Sequence, residues 1–412
     1  MNKHLESCSF CMSKTQLVLD LGFLPPVNDM PSAQVNQIEN VSFPLSLSFC
    51  NNCMLTQIRE ELPSDIVFPD SYPYLSSATR ILRENFAHQA VIANNMLHLA
   101  ASDLVIDIGS NDGTLLSNYK NFSRVLGIEP TQAAIVAEKN NIPTIKNFFN
   151  KEVARRIVQS EGKAKLVTAC NVFAHIPDLK SLMENILEIL DDDGIFLSES
   201  HYLLDLVEKL QFDTIYHEHL RYYDINFLKA LFSKFGLEII EVQRIPTHGG
   251  SIRVFAARKG KFKVNPTVTH LLDQEKNSRY FGISGLLEFS ERVALWRNDF
   301  RKLISEIRLS GSNISGIGAP SRASTLIGFS GLTHLDLTSV GEISTSHKIG
   351  RLMPGTCIPI ISENEIQGSI KPEYLLILSW HIAEELMEKI RMNGFKGKFI
   401  IPLPVPNVVD SI

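Results

Sequence analysis

The feature that most constrains the fold is an alternation of short apolar runs with helical patterns between about residues 71 and 260. Five of these runs have the character of buried strands: residues 104–109, 125–129, 144–145, 165–169 and 194–199. Parallel strands need a crossover connection, which is usually a helix, so strands that alternate with helices are typical of a doubly wound sheet. The alternation therefore predicts a mostly parallel α/β sheet.

Two further apolar runs, residues 237–245 and 251–258, have no helical pattern between them. Only a short segment around His248-Gly249-Gly250 connects them, which is too short for a parallel crossover. These runs predict a hairpin, and we expect it to put an antiparallel strand at the end of the parallel sheet.

The first 68 residues differ from the rest because they are rich in proline and have little helical period. A segment with so small a core needs a covalent or metal staple. Two CxxC pairs, Cys8/Cys11 and Cys50/Cys53, supply the four thiolates of a structural zinc site, which leave no open position for catalysis. The separation between the pairs exceeds the roughly 15–20 residues of a zinc ribbon, so two unrelated pairs are the alternative.

The last part of the chain begins with a helical pattern over residues 268–309 and continues as a second α/β unit. Its first strand ends in Gly316-Ile317-Gly318-Ala319-Pro320, and its last strands, residues 374–378 and 398–402, flank a helix over 382–392. We therefore predict three domains: residues 1–68, 69–260 and 261–412.

The charge balance of the chain argues against one class of partner. A net charge of -5 and a pI near 6.2 give no basic footprint for nucleic acid. No apolar run approaches the roughly 18 residues of a membrane span, and the first residues contain no apolar core of a secretion signal. We expect no nucleic-acid partner, no membrane span and a cytoplasmic location, while the oligomeric state is open.

A glycine-containing loop, residues 107–114, joins the first strand of the middle unit to its helix. Gly109 and Gly113 let a ligand approach the backbone closely, and Glu129 ends the next strand, where an acidic residue can bind ribose hydroxyls. The spacing is GxxxG rather than the GxGxxG of dinucleotide sites, which argues against a nicotinamide cofactor. A tight structural turn is the alternative.

This loop resembles motif I of class I S-adenosylmethionine-dependent methyltransferases, and the predicted antiparallel strand resembles that of their seven-stranded sheet. The resemblance implies a class I methyltransferase Rossmann-like domain flanked by an N-terminal zinc-binding lobe and a C-terminal Rossmann-like α/β lobe. It also implies a binding site for S-adenosylmethionine made of Asp107, Gly109, Ser110, Asn111, Gly113, Glu129, Pro130, Asn171 and Phe173.

A polar insertion, residues 201–223, follows the fifth strand and should cover the catalytic edge of the sheet. It carries Asp213, Tyr216, His217, Glu218, His219, Tyr222 and Tyr223. Histidine can take a proton near neutral pH, a carboxylate can fix its tautomer, and tyrosine can donate to a developing oxyanion. These groups suit removal of a proton alpha to a carbonyl. Chance placement and metal binding by the HxH pair are the alternatives, and the HExxH zinc pattern is absent.

Over nearly its full length, the chain resembles sugar C-methyltransferases such as the 3-C-methyltransferases of mycarose and tetronitrose biosynthesis. The shared segments are the CxxC pairs and residues 72–77, 107–114, 171–175, 216–219 and 318–320. The resemblance implies methylation of a 4-keto-6-deoxy nucleotide sugar at the carbon beside the ketone. His219 would be the general base, with Glu218 as its partner. Tyr216 and His175 would line the sugar, and Tyr74 would close over the site; simple packing is the alternative for His175.

The C-terminal unit resembles the third domain of the same family, which helps to hold the nucleotide. Its Gly316–Ser321 segment is a weak GxGxxS with Glu342 as a possible ribose ligand, so a nicotinamide site is left open. Relatives usually have Lys and Asn where Arg322 and Ser324 stand, which leaves the nucleotide undetermined. Two other functions stay open: an O- or N-methyltransferase of small molecules, and a non-catalytic zinc-containing scaffold that binds a nucleotide.

Overall fold

The N-terminal segment forms an antiparallel sheet that a later part of the chain completes. The computed structural model describes residues 3–33, 41–68 and 75–410. The elements of the segment are β1 (Lys3–His4), β2 (Gln16–Leu24), β3 (Phe43–Phe49), β4 (Thr56–Ile58), β5 (Glu60–Glu61) and α1 (Ser64–Val67). Strands β2, β3 and β4 pair in order, and a two-residue strand from the polar insertion, residues 201–223 and hereafter the acceptor insertion, extends them beside β4.

The middle segment contains the predicted doubly wound sheet. Its strands are β6 (Leu104–Ile108), β7 (Arg124–Ile128), β8 (Thr144–Ile145), β9 (Ala164–Cys170), β10 (Leu190–His201), β11 (Arg221–Tyr222), β12 (Leu237–Ile245) and β13 (Ser251–Arg258). Its helices are α2 (Arg80–Leu97), α3 (Ala133–Lys139), α4 (Lys151–Ser160), α5 (Leu179–Ile189), α6 (Leu203–Glu208) and α7 (Ile225–Lys234). The seven-stranded order is β12-β13-β10-β9-β6-β7-β8, and β11 is the strand that joins the N-terminal sheet.

We had expected the antiparallel strand to lie at the end of the sheet, and it does not. Strand β13 pairs antiparallel with both β10 and β12, so it lies one position in from the edge, and β12 is the edge strand. Burial explains this order, because seven of the eight residues of β13 are buried while β12 mixes buried and half-exposed residues. A nearly continuous apolar run is typical of a strand with neighbours on both sides.

The C-terminal segment adds a six-stranded sheet. Its helices are α8 (Pro266–Asn277), α9 (Gly282–Leu309), α10 (Ser321–Ser330), α11 (Glu363–Glu365) and α12 (Ala383–Met392). Its strands are β14 (Ile314–Ile317), β15 (Val340–Glu342), β16 (Ile360–Ser362), β17 (Tyr374–Ile377), β18 (Lys398–Ile401) and β19 (Asn407–Val409), in the order β16-β15-β14-β17-β18-β19. The helical pattern over residues 268–309 is two helices, because Ser278 takes an extended conformation that ends α8.

The three segments share their hydrophobic cores. Cys8, Cys50 and Leu55 are buried in the same cluster as the inner residues of β6, β9 and β10. Residues of β2 and β3 are buried in a second cluster with α6, α9 and α10. The N-terminal sheet is therefore packed against both of the other segments, while the domain boundaries at residues 68 and 260 stay a prediction. No helix in the described ranges combines the length and apolar character that crossing a bilayer requires.

Candidate active site

The four cysteine thiols converge on one point. The sulfur atoms of Cys8, Cys11, Cys50 and Cys53 all lie within 4.8 Å of one another, and no other group of potential ligands converges so within the described ranges. Sγ of Cys8 is 3.5 Å from that of Cys53, and Sγ of Cys11 is 3.4 Å from that of Cys50. A tetrahedral zinc ion with Zn–S bonds of about 2.3 Å requires sulfur separations of about 3.8 Å. The thiols therefore fit structural Zn²⁺.

The two CxxC pairs form the same turn. The backbone N–H of Met12 donates to the carbonyl of Cys8 at 3.0 Å, and that of Met54 donates to the carbonyl of Cys50 at 2.8 Å. Both methionines have left-handed backbone, with φ of 62° and 67°. Two equivalent turns whose thiols face each other indicate one shared ion, which contradicts the alternative of two unrelated pairs.

The loop after β6 has the backbone that a closely approaching ligand requires. Gly109 and Gly113 have φ of +72° and +79°, a region that residues with side chains rarely adopt. A Cβ atom on Gly109 would lie 2.3 Å from Cγ2 of Val172, and one on Gly113 would lie 2.8 Å from Cγ1 of Ile142. The loop therefore has no room for a side chain at either glycine.

Gly109→Ala is expected to weaken S-adenosylmethionine binding by at least about tenfold, because left-handed strain alone costs on the order of 1–3 kcal/mol and Val172 must also move. Calorimetric titration with S-adenosylhomocysteine measures the change. Gly162→Ala is the matched control, since Gly162 has φ of +88° but nothing within 4 Å of a new Cβ. Equal affinities for both variants and wild type would remove Gly109 from the binding site.

Two buried carboxylates flank the loop. Asp107, in β6, accepts a hydrogen bond from the Thr168 hydroxyl at 2.6 Å, and burial raises the pKa of Asp107 to about 7. Glu129 accepts from the backbone N–H of Asn111 at 3.0 Å and from the N–H and hydroxyl of Thr131 at 2.9 and 2.6 Å. Glu129 is therefore held in a fixed orientation against the loop, beside the half-buried Pro130.

The segment that begins at residue 75 is anchored to the same loop. The backbone N–H of Ser76 donates to Oδ1 of Asn111 at 2.8 Å, and that of Ser77 donates to Oδ2 of Asp112 at 2.9 Å. Tyr74, which we predicted to close over the site, lies outside the described residues. Its role stays a prediction.

Several buried polar atoms at this edge of the sheet have no hydrogen-bond partner among the described residues, and Oγ of Ser110 and Oδ1 of Asn171 are the two that belong to the predicted cofactor site. Asn171 follows β9 with left-handed backbone (φ 57°), and its N–H donates to the carbonyl of Glu199 at 2.7 Å. Unpaired buried polar atoms are uncommon in folded proteins. Together with the bare glycine loop, they fit S-adenosylmethionine, whose amino-acid and ribose groups need polar partners.

The side chain of Phe173 lies in the core, so the prediction that it lines the cofactor pocket is wrong. It is fully buried, and its ring centroid lies 5.3–6.2 Å from those of Phe196, Tyr223 and Phe232. The left-handed backbone at Asn171 turns the chain so that Val172, not Phe173, faces the glycine loop.

His219 lies at the centre of a cluster of rings. Only 6% of the residue is exposed, and its ring centroid lies 4.0 Å from that of Tyr216, 4.8 Å from that of His201 and 5.0 Å from that of His175. The insertion supplies His219 and Tyr216, while His201 ends β10 and His175 follows β9. The predicted residues His219, Tyr216 and His175 therefore do come together at the carboxyl ends of the strands.

The hydrogen bonding of His219 defines its tautomer. Nδ1 lies 2.8 Å from the backbone carbonyl oxygen of Thr214, which can only accept, so Nδ1 carries the proton and Nε2 has the lone pair. Burial lowers the pKa of His219 well below its usual value, and the neighbouring His175 acts in the same direction. His219 is therefore a neutral imidazole at neutral pH, with Nε2 available to accept a proton.

We had predicted that Glu218 is the partner of His219, but the two side chains do not form a hydrogen bond. Its Oε1 accepts a hydrogen bond of 2.6 Å from the side-chain amide of Asn28, and the amide oxygen of Asn28 accepts from the Ser321 hydroxyl at 3.2 Å. The side chains of Glu218 and His219 have different partners, although the residues are adjacent. The carbonyl of Thr214, rather than the carboxylate of Glu218, fixes the orientation of the His219 ring. Glu218 instead joins the acceptor insertion to the N-terminal and C-terminal segments.

Tyr216 and His175 are both neutral neighbours of His219. Burial raises the pKa of Tyr216 well above its usual value, and Glu218 adds to the effect, so the phenol keeps its proton. Burial lowers the pKa of His175 to about 4, and its ring stacks on Phe68 with centroids 5.6 Å apart. Tyr216 thus offers a hydrogen-bond donor to the site, and His175 lines it with an uncharged ring.

His217, which received no role from the sequence, faces the N-terminal sheet. Its Nε2 lies 3.1 Å from the carbonyl oxygen of Pro44, and its ring meets that of Phe43 edge-on at 6.1 Å. Residues 216–219 form a turn closed by a hydrogen bond of 3.0 Å from the N–H of His219 to the carbonyl of Tyr216, which brings the rings of Tyr216 and His219 together while His217 contacts the N-terminal sheet. His217 anchors the insertion.

The C-terminal segment closes the far side of the cluster through a buried ion pair. The guanidinium of Arg322, near the start of α10, makes two hydrogen bonds of 2.9 Å to the carboxylate of Asp213. The indole N–H of Trp380 donates to Asp213 at 2.7 Å, and Arg322 also donates to the carbonyl of His248 at 3.3 Å. The sequence singled out Asp213 and Arg322 separately, and no local pattern predicted that they pair.

The glycine-containing loop of the C-terminal segment is held by its own side chains. The N–H of Ala319 donates to Glu342 at 2.8 Å, and Nζ of Lys348 donates to the carbonyl of Ala319 at 2.6 Å. Glu342, our candidate ribose ligand, therefore contacts the protein's own loop. Lys348 was not recognised from the sequence.

His201 is the other residue near the base that sequence reasoning missed. The strand-end rule that selected Glu129 and Asn171 also applies to His201, which is the last residue of β10. We had counted it only as the start of the insertion.

Three family models match successive parts of the chain: "Putative zinc binding domain" over residues 8–68, "Methyltransferase domain" over 82–242 and "C-methyltransferase C-terminal domain" over 246–404. The C-methyltransferase NovU of Streptomyces niveus is 31% identical over 414 residues, which is 99% of this chain and 97% of that protein. The likeness to NovU therefore spans all three segments.

Among solved structures, an S-adenosylmethionine-dependent methyltransferase from Clostridium acetobutylicum is similar with a TM-score of 0.33 and 14% identity, covering 45% of this chain and 94% of that one. The magnesium protoporphyrin IX methyltransferase of Synechocystis PCC 6803 is similar with a TM-score of 0.32 and 14% identity, covering 43% and 78%.

Proposed function

The chain belongs to the S-adenosylmethionine-dependent C-methyltransferase family of NovU, and from that premise we propose that it methylates a 4-keto-6-deoxy nucleotide sugar at the carbon beside the ketone. The observation that carries the proposal is the buried, neutral His219, whose Nδ1–H is fixed by Thr214 so that Nε2 can accept a proton. A carbon acceptor needs such a base, because its C–H bond must be broken before it can attack a methyl group.

The acceptor carbon must be activated, because a neutral imidazole of lowered pKa is a weak base. A neighbouring ketone supplies this activation, since the charge left by the proton moves onto the carbonyl oxygen. The protonated phenol of Tyr216, adjacent to His219, is suited to donate a hydrogen bond to that oxygen. S-adenosylmethionine supplies the electrophilic methyl group. Positioning of the carbon against it by the pocket supplies much of the remaining rate.

We assign the nucleotide part of the substrate to the loop from β14 into α10, near the point where Arg322 joins the C-terminal segment to Asp213 of the middle segment. The loop from β14 into α10 contacts Lys348, and a helix N-terminus with a nearby cation suits phosphate oxygens. Ser321, at the start of α10, is linked through Asn28 to Glu218 in the acceptor insertion. This connection supports one continuous binding site for the nucleotide and the sugar.

Solvent exchange tests the proposal. We expect that incubation in deuterated water with the right 4-keto-6-deoxy nucleotide sugar places deuterium on the carbon beside the ketone, and that added S-adenosylmethionine places a methyl group on the same carbon. Mass spectrometry and proton NMR of the sugar measure both. Transfer of the methyl group to oxygen or nitrogen without exchange would contradict the carbon acceptor.

A panel of dTDP-, CDP- and GDP-linked keto sugars is needed for this experiment, because the residues of the loop from β14 into α10 do not identify the nucleobase of the substrate. Formation of S-adenosylhomocysteine reports turnover for each member. A failure of the whole panel, with S-adenosylmethionine bound, would favour a non-catalytic scaffold that binds a nucleotide.

A further inference from the structure

Proton balance sets a requirement that the base alone does not meet. Methylation of a carbon breaks one C–H bond, forms one C–C bond and leaves the electron pair of the broken C–S bond on sulfur, so each turnover releases one proton. If the proposed function holds, that proton arrives on Nε2 of His219, which is only 6% exposed. It must leave before the next substrate can be deprotonated.

Two other histidines, His175 and His201, lie next to His219, and they differ in the residues on their far side. The ring of His175 is stacked against Phe68 at 5.6 Å, and burial lowers the pKa of His175 to about 4. The ring of His201 lies 4.8 Å from His219 and 5.6 Å from His248, which sits in the turn between β12 and β13. His201 and His248 are largely buried but each is more exposed than His219, so the row His219–His201–His248 runs from the buried base toward the surface.

We propose that His201 carries the proton of each turnover away from His219 toward His248 and solvent. The imidazolium of His219 gives its Nε2 proton to one ring nitrogen of His201, which releases a proton from its other nitrogen to water on the side of His248. His219 returns to the neutral form with its Nδ1–H still on Thr214, and His201 returns by exchanging tautomers. One proton enters and one leaves, so no further reactant is needed.

The surrounding charges favour passage of the proton over its storage. The charge of Arg322 lowers the pKa of both His201 and His248, and Arg322 itself is paired with the carboxylate of Asp213. Burial lowers the pKa of His201 well below its usual value, and the neighbouring His219 and His248 contribute in the same direction. A proton on His201 is therefore short-lived. Nε2 of His248 is buried and has no hydrogen-bond partner among the described residues.

His201→Phe tests the proposal, because it keeps a ring against His219 and removes both nitrogens. We expect methyl transfer in the first turnover to stay within about threefold of wild type, whereas steady-state turnover and solvent exchange each fall at least about tenfold. Added imidazole should restore part of the steady-state rate. His270→Asn, on the exposed face of α8, is the control and should change neither rate.

Equal losses in the first and later turnovers, without rescue by imidazole, would show that His201 only packs the site and would overturn the proposal. Unchanged steady-state turnover and exchange would overturn it as well. If His201→Phe does not fold, His201→Asn is measured in the same way and judged by the same ratio of rates. Absence of carbon exchange in the wild type would instead reject the proposed function, so the two failures are distinguishable.

Discussion

His219→Asn is expected to lower kcat by about 10²–10⁴-fold, the usual contribution of a positioned general base, and to abolish deuterium exchange at the sugar carbon. The asparagine amide can still donate to the carbonyl of Thr214, so the fold of the insertion should be kept. Binding of S-adenosylmethionine should change little, because the glycine loop does not involve this residue. Rapid-quench kinetics, exchange by NMR and calorimetry measure the three effects.

Glu218→Gln is the matched control for this substitution. The structure gives Glu218 a hydrogen bond from Asn28 that glutamine can accept as well, so we expect a loss in kcat of less than about tenfold. If Glu218→Gln and His219→Asn were equally damaging, the carboxylate would be the partner of the base after all. If His219→Asn kept most of the activity, another group would be the base.

The pH dependence offers an independent check on the environment of His219. Burial lowers its pKa, so the imidazole keeps its proton-accepting form to lower pH than an ordinary histidine, whose pKa is about 6.5. We therefore expect kcat/KM to hold as pH falls from 8 through 6.5 and to decline only at lower pH. A half-maximal point at or above 6.5 would contradict a buried neutral base.

Local sequence patterns predicted the parts of this site that depend on a few adjacent residues. The glycine loop, Glu129 and the CxxC pairs each have their signature within one turn, because backbone conformation and ligand spacing are local properties. The clustering of His175 with His219 was also predictable, since strand ends of a parallel sheet meet at one edge.

The errors concern which way a side chain points in an irregular segment. Glu218 and His219 are adjacent in sequence, and only the three-dimensional turn sends one toward Asn28 and the other toward Thr214. Phe173 was misplaced for the same reason, because the left-handed Asn171 rotates the chain after β9. The pairing of Asp213 with Arg322 joins residues more than a hundred positions apart, which one sequence does not reveal.

Removal of zinc is expected to unfold the N-terminal sheet and, through it, to inactivate the enzyme. Structural zinc contributes about 10–16 kcal/mol in isolated zinc-finger peptides, so Cys50→Ser should lower the free energy of unfolding by at least about 3 kcal/mol. Metal analysis should find about one zinc per chain in the wild type and much less in the variant. Thermal unfolding and turnover then measure the two consequences.

Activity should be lost although zinc takes no part in the chemistry, because the acceptor insertion is built onto the zinc-bound segment. Strand β11, just after His219, pairs with β4, and the guanidinium of Arg221 donates to the hydroxyl of Ser9 between the first two cysteines. Loss of the metal therefore releases the turn that holds the base. The glycine loop follows β6 in the middle segment, so S-adenosylmethionine binding should be less affected than kcat.

Cys357→Ser is the control for the zinc prediction, since Cys357 is exposed and distant in sequence from the CxxC pairs. It should leave zinc content, unfolding temperature and kcat unchanged. A zinc-free protein with wild-type stability would contradict a folding role for the ion. A protein that has lost zinc and unfolds at lower temperature is expected to turn over more slowly. If it keeps wild-type turnover, the N-terminal sheet is not needed to hold His219, and the contacts of β11 and Arg221 are dispensable for positioning the base.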